Sequence, residues 1–433
     1  MVERGLPRCR KRKQRSIFPI GVVVVGGALL LALIIRTAPA SGKVFKSIRI
    51  NLAQEKCPRN PKADHHYSRG TPPKSEFASQ SFFRRSSVRP GNVGVTLSVH
   101  LRIDQLRELR SLGSSWGSHL SAGVFISETQ NSSLANSQLA ELAEFHAAIE
   151  QDKSFDLDLG VVFGMVDISS PSASGEELYR HQYPVNSLKN VALAQVETDL
   201  VFLLDVDMVV TPDIWKDMLN AQKTSWGDAL CEIRKNSPHG KIAGVVPLFD
   251  LIEGSPIPNN RSELIQLYKK RELVRFGGDR DRSQCGTDHG KWLMSDNSYF
   301  VDYHEDYAPI VIAQSSSLPW YPESIKGNIS CRSAHTWYMA ATGWEFLVLP
   351  LNFVVHPRNL ELEKAEVGLD LDPDLLDFSR NVTREFRKQA LSRPGVHDPI
   401  KMYSSKPRAY EPMPSMNARN AADNRQFKDE LNC

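Results

Sequence analysis

The stretch DLVFLLDVDMVVTP, residues 199 to 212, constrains the fold of this chain more than any other. Leu200 through Leu204 are apolar without interruption, which suits a strand buried on both faces, as interior strands of parallel sheets are. Asp205 and Asp207 follow at its carboxyl end, where the ligands of open α/β sheets gather. Two carboxylates so close repel each other unless water, a cation or a basic partner offsets their charge. The pair asks for a metal ion.

The pattern around it has the alternation of a doubly wound α/β domain. VGVTLSVHL reads as a strand, IDQLRELRSLGSSW as a helix and AGVFIS as a second strand. Residues 139–149 form an amphipathic helix, LGVVFGMVDI (159–168) a third strand ending on Asp167, and YPVNSLKNVALAQV (183–196) the next helix. Later strands are AGVVPLF (243–249) and YAPIVIA (307–313), followed by a helix over 333–343 and an extended run, FLVLPLNFVVH, that stops on His356. The folded unit is expected over 91–365, as one domain.

Spacing alone does not make the pair special. Asp156–Asp158, Asp279–Asp281, Asp370–Asp372 and Asp372–Asp374 share it, and these four read as solvated loop positions. Context separates Asp205 and Asp207: an apolar strand before them, and VVTP with a helix start after. Magnesium- or manganese-like ions prefer carboxylate oxygen and keep positions open for phosphate. Such an ion neutralises the charge that builds on a departing diphosphate.

Outside the folded unit, residues 1–16 form a basic tail. Residues 17–35, IFPIGVVVVGGALLLALII, carry no charge. As a helix they reach about 28 Å, enough for a bilayer core of about 30 Å, and the apolar run is too long for a signal peptide. The cluster Arg8, Arg10, Lys11, Arg12, Lys13 keeps the N-terminus cytoplasmic and places the rest across the membrane, a single-pass type II arrangement. Residues 36–90 read as a flexible stem rich in proline, and 366–433 as a charged, partly disordered extension. Sequons at Asn131, Asn260, Asn328 and Asn381 agree with lumenal exposure. Five cysteines follow the anchor, an odd number whose connectivity the spacing leaves open. KDEL at 428–431 is not terminal and carries no retrieval meaning. A net charge of +3 offers no footprint for nucleic acid.

From Val95 to His356 the chain resembles the LARGE-type glycosyltransferases of family 49, which include glucuronyltransferases acting on the dystroglycan glycan. The resemblance lies in VTLSVHLRIDQLRELRSLGSSWGSHLSAGVFI, YPVNSLKNVALAQVETDLVFLLDVDMVV, AGVVPLFD, TDHGKW and GWEFLVLPLNFVVHPRN, in that order. It implies a GT-A type nucleotide-sugar-binding fold with a Rossmann-like central sheet. It also implies a UDP-sugar donor, a glycan or glycoprotein acceptor, a divalent cation (manganese or magnesium), inversion at the anomeric carbon and a Golgi membrane location. Under it, Asp205, Asp207 and His356 hold the metal, while Asp167, Asn186, Lys189 and Asn190 line the donor. Asn186 and Asn190 share one helix face by their spacing; Lys189 is either a donor contact or an exposed helix lysine. Asp302, Glu305 and Asp306 in DYHEDY are candidate general bases or solvated loop acids, and Trp292 is an acceptor contact or a core residue.

The sequence also departs from the family. Ala308 and Ile310 stand where the pattern has Glu and Tyr, and Cys331, Arg332, His335 and Tyr338 replace an Asn-Lys pair and a His followed by Glu. These positions bear on the donor sugar, so glucuronate, the family default, competes with xylose, galactose or N-acetylglucosamine. A non-catalytic glycan-binding scaffold competes with both. The oligomeric state is not legible.

Overall fold

The computed structural model describes residues 70–90, 94–165, 176, 179, 182–211, 214, 241–277, 282–327, 331–358 and 373–404. Every described element lies within one unit, Asn51–Cys433. The predicted anchor at 17–35, Asp167 and Asn328 fall outside the described residues. Among those described, no helix is long and apolar enough to cross a membrane.

Two sheets organise the chain. The larger has nine strands in the order β1-β4-β3-β2-β5-β11-β7-β12-β10. They span β1 Ser79–Arg84, β2 Val95–Arg102, β3 His119–Ile126, β4 Asp156–Phe163, β5 Leu200–Leu203, β7 Ile242–Val246, β10 Tyr299–Val301, β11 Ile310–Gln314 and β12 Glu345–Val348. β4, β3, β2 and β5 run parallel, whereas β11 lies antiparallel to both β5 and β7. The sheet is therefore mixed rather than wholly parallel. β5 is central, and its two faces feed different cores: Leu200 and Phe202 on one side, Val201 on the other.

Helix α1 (Leu106–Trp116) and α2 (Ser133–Asp152) cover one face, with Leu109, Leu112, Leu142 and Ile149 fully or nearly fully buried. Helix α3 (Val185–Ala194) lies on the opposite face, hard against β3. A Cβ on Gly123 would stand 2.2 Å from the Leu188 carbonyl oxygen, so glycine is what permits that approach.

The second sheet has four strands, β6-β13-β8-β9: β6 Val209–Val210, β8 Leu248–Leu251, β9 Leu273–Arg275 and β13 Val354–Pro357. Two stretches that read as single strands are each divided between the sheets. AGVVPLF passes from β7 to β8 at Pro247, whose missing N–H cannot continue a ladder. FLVLPLNFVVH passes from β12 to β13 through Pro350 and Leu351, the latter at φ 70°. The chain crosses in the same sense from β5 to β6, at Asp205 to Met208.

Two expectations fail, and the C-terminal extension gains detail. Within the presumed stem, residues 79–84 form β1 and pair with β4. Asp158 is not solvated: it is fully buried on β4, 3.0 Å from His119 Nε2 and 2.7 Å from Arg89, because residues 84–89 fold back over that face. The extension beyond 366 contains α7 (Pro373–Leu391) and α8 (Pro399–Ser404). Its dense charges mask a helical stripe in which Leu375, Ser379 and Ala390 are buried. The remaining helices are α4 (Arg261–Lys269), α5 (His289–Met294) and α6 (Cys331–Ala341).

Candidate functional site

The two aspartates line different hollows, though the charge of Asp205 is felt at Asp207. Asp205 lines a narrow cleft of about 20 Å³ with Ser98, Lys189, Ile310, Tyr321 and Arg332. Asp207 lines a separate groove beside α1, together with Arg107 and Ser111.

Both oxygens of Asp205 are engaged. Lys189 Nζ lies 3.3 Å and His100 Nε2 3.2 Å from Oδ1, and the Arg332 guanidinium holds Oδ2. Burial pushes this carboxyl up, but Arg332, Lys189 and His100 outweigh it and hold it well below the usual carboxylate range. Burial likewise opposes the charge on Lys189 and Arg332, and Asp205 restores it, so both pKa values end raised. Lys189 is therefore no exposed helix lysine; its ammonium sits 5.4 Å from the Tyr321 ring centroid. His100 stays neutral because burial lowers its pKa. The Tyr183 hydroxyl, 3.0 Å away, donates to its Nδ1 while Nε2–H donates to Asp205.

Asn186 and Asn190 do share a face, but it is turned to the chain rather than to a donor. Asn186 Nδ2 donates to the carbonyls of Pro322 and Ile325, both at 2.9 Å. Asn190 donates to Tyr321 O and Glu323, and accepts from Tyr321 N at 2.8 Å. Together they pin the loop that places Tyr321, stacked on His335 at 3.8 Å, in the cleft wall.

On the other side, His356 on β13 is paired in register with Asp250 on β8, Nδ1 to Oδ1 at 3.0 Å. An acceptor-only carboxylate fixes the Nδ1–H tautomer and turns Nε2 outward, the arrangement found behind metal-binding histidines. Asp207 Oδ2 stands 3.8 Å from that Nε2. Two ligands of one ion, each about 2.1 Å from it, stand about 3 to 4 Å apart, so the pair fits a divalent cation. Among the described residues no group of three His, Cys, Asp or Glu can hold an ion. Asp205, expected as a further ligand, is met by Lys189 and Arg332.

The base candidates sit in the loop before β11. Glu305 pairs with Arg387 of α7 at 2.8 Å, Asp306 is exposed at φ 66°, and none of Asp302, Glu305 and Asp306 lines the cleft. Trp292 is a core residue, 1% exposed, its indole donating to Leu349 O. Two residues escaped the sequence as site members: His100, a polar residue near the end of an apolar strand, and Asp250, the last residue of the motif AGVVPLFD. Asn131, Asn260 and Asn381 are exposed. Cys331 is a buried thiol, and Cys285 is disulfide-bonded.

Residues 94–366 match the family described as glycosyl-transferase for dystroglycan. The chain belongs to this family. Among curated relatives of this family-49 protein, rat (Rattus norvegicus) xylosyl- and glucuronyltransferase LARGE2 is 28% identical over 278 residues, which is 64% of this chain and 36% of LARGE2. The chain thus spans about a third of that relative's length. Zebrafish (Danio rerio) beta-1,4-glucuronyltransferase 1 is 22% identical over 316 residues, 65% of this chain and 70% of the relative. Among solved structures, GalNAc-T7 with UDP, GalNAc and Mn2+ aligns over 79% of this chain and 56% of its own, at 9% identity and a TM-score of 0.37, too loose to place any site atom.

Proposed function

We propose that this protein is a metal-dependent glycosyltransferase of the GT-A type that moves glucuronic acid from UDP-glucuronate to a glycan hydroxyl with inversion. The observation that carries the reading is the Asp207–His356–Asp250 arrangement beside a buried cationic cleft. A manganese or magnesium ion held by Asp207 and His356 supplies Lewis-acid neutralisation of the leaving diphosphate. Asp250 orients the histidine. Arg332 and Lys189 offer a fork and a point charge to an anionic group of the donor, with Asp205 holding both in place. Buried Ile310 and Tyr321 exclude water from the same space. Kinship with glucuronyltransferases and the two cations favour a uronate.

The test is a donor screen of the purified chain with manganese and UDP-glucuronate, UDP-xylose, UDP-galactose or UDP-N-acetylglucosamine. UDP release with glucuronate alone is expected; turnover of another donor alone replaces the sugar. A second reading has one observation behind it: with both oxygens of Asp205 occupied by the protein's own cations, the fold can be a scaffold that has lost its donor. Binding of UDP and manganese without any turnover selects it. The Golgi location and type II anchor belong to the same proposal, supported by the apolar run at 17–35 and three exposed sequon asparagines. Glycosidase digestion that leaves the gel mobility unchanged counts against it.

A further inference from the structure

Helix α7 lies beyond the family-matched segment 94–366, yet it contacts three segments that lead into the cleft. Phe386 packs edge-on against Trp337 and Tyr338 of α6, at 6.1 and 5.8 Å between centroids. α6 carries Arg332, His335 and Thr336 into the cleft, Arg332 about a turn and a half before these rings and the other two within one turn. The next residue, Arg387, bonds Glu305 at 2.8 Å, in the loop leading to Pro309, Ile310 and Val311 of the opposite wall. Phe378, two turns back, packs on Tyr179 at 5.2 Å. The Tyr179 hydroxyl donates to Ser324 O and accepts from Lys326 N, within the loop that presents Tyr321.

We propose that α7 is a splint that sets the spacing of these three segments, and that Phe386 is a positioning residue for Arg332. The proposal rests on the cleft being the donor site. It also gives a use to the sequence departure at Tyr338: this ring seats α7 rather than reading a substrate. An aromatic ring against the helix that carries a cation is a short mechanical path, because side chains in close-packed interiors shift together. Phe386 is half-buried at the edge of the second core.

The experiment uses the full chain and the variants Phe386→Ala, Phe386→Leu, Arg332→Gln and the double Phe386→Ala/Arg332→Gln. Hydrogen exchange and affinity for UDP-glucuronate with manganese are read on each. Expected for Phe386→Ala is faster exchange confined to 318–327 and 331–341, with affinity about tenfold weaker. Phe386→Leu restores most of both, and the double variant binds no worse than Arg332→Gln alone. Unchanged affinity, additive losses, or exchange raised throughout the fold overturns the splint. A wild-type chain that fails to bind UDP sinks the donor reading instead, and the exchange pattern alone then decides whether α7 braces the three segments.

Discussion

His356 and Asp250 face each other across two parallel strands, Nδ1 to Oδ1 at 3.0 Å, at the point where both strands have just left the large sheet. In the proposed metal site the carboxylate would act on the ion only through the ring it orients. Asp250→Asn is therefore expected to weaken manganese binding about 10- to 100-fold without removing a ligand, and His356→Ala to weaken it further. Manganese titration of UDP binding, monitored calorimetrically, distinguishes the two; equal losses would place Asp250 in the coordination shell itself.

The separation of Asp205 from Asp207 predicts opposite signatures for two similar substitutions. Asp207→Asn removes the manganese dependence of UDP binding and leaves the unfolding midpoint nearly unchanged, since its side chain is half exposed. Asp205→Ala leaves the Lys189 and Arg332 cations together without their shared acid. Removing one partner of a buried pair costs about 3 to 5 kcal/mol, and partial exposure here, 24% for Asp205, reduces that to about 3 kcal/mol. Urea unfolding checks it; two equally destabilised variants would refute the division of roles.

Asn190 makes three hydrogen bonds to residues 321 and 323. Asn190→Ala strands the buried Tyr321 N–H and carbonyl and should destabilise by about 2 kcal/mol. The loss appears first as faster exchange of the 318–327 amides. Exchange there that matches the wild type would mean that Asn186 and the rest of the loop hold it unaided.

His289 is fully buried, with Nδ1 3.0 Å from Thr287 O. Burial, aided by Arg275, lowers its pKa from 6.5 to about 4. Between those values the unfolded chain binds a proton that the folded chain refuses. Stability therefore falls as pH drops from about 6.5 toward 4, by about 3 kcal/mol in full. His289→Gln should flatten that part of the curve of stability against pH; an unchanged slope would assign it to other groups.

Periodicity and apolar runs alone determined much of this protein. The strand before Asp205, helices α1 and α3, and the placing of acids at a strand end are local features written in neighbouring residues. So is His356 at the close of an apolar run. Which partners those residues meet was decided only in three dimensions. Pro247 and Pro350 each break a continuous apolar run, and a run carries no mark of which sheet its second half joins. Two adjacent acids in DVD look equivalent in the chain, yet one is met by cations from α3 and α6 and the other by a histidine from β13. Those partners lie far away in sequence. Charge compensation depends on distance through space, and burial on what folds over a residue, as Asp158 beneath residues 84–89 and the loop tied to Asn186 and Asn190 show.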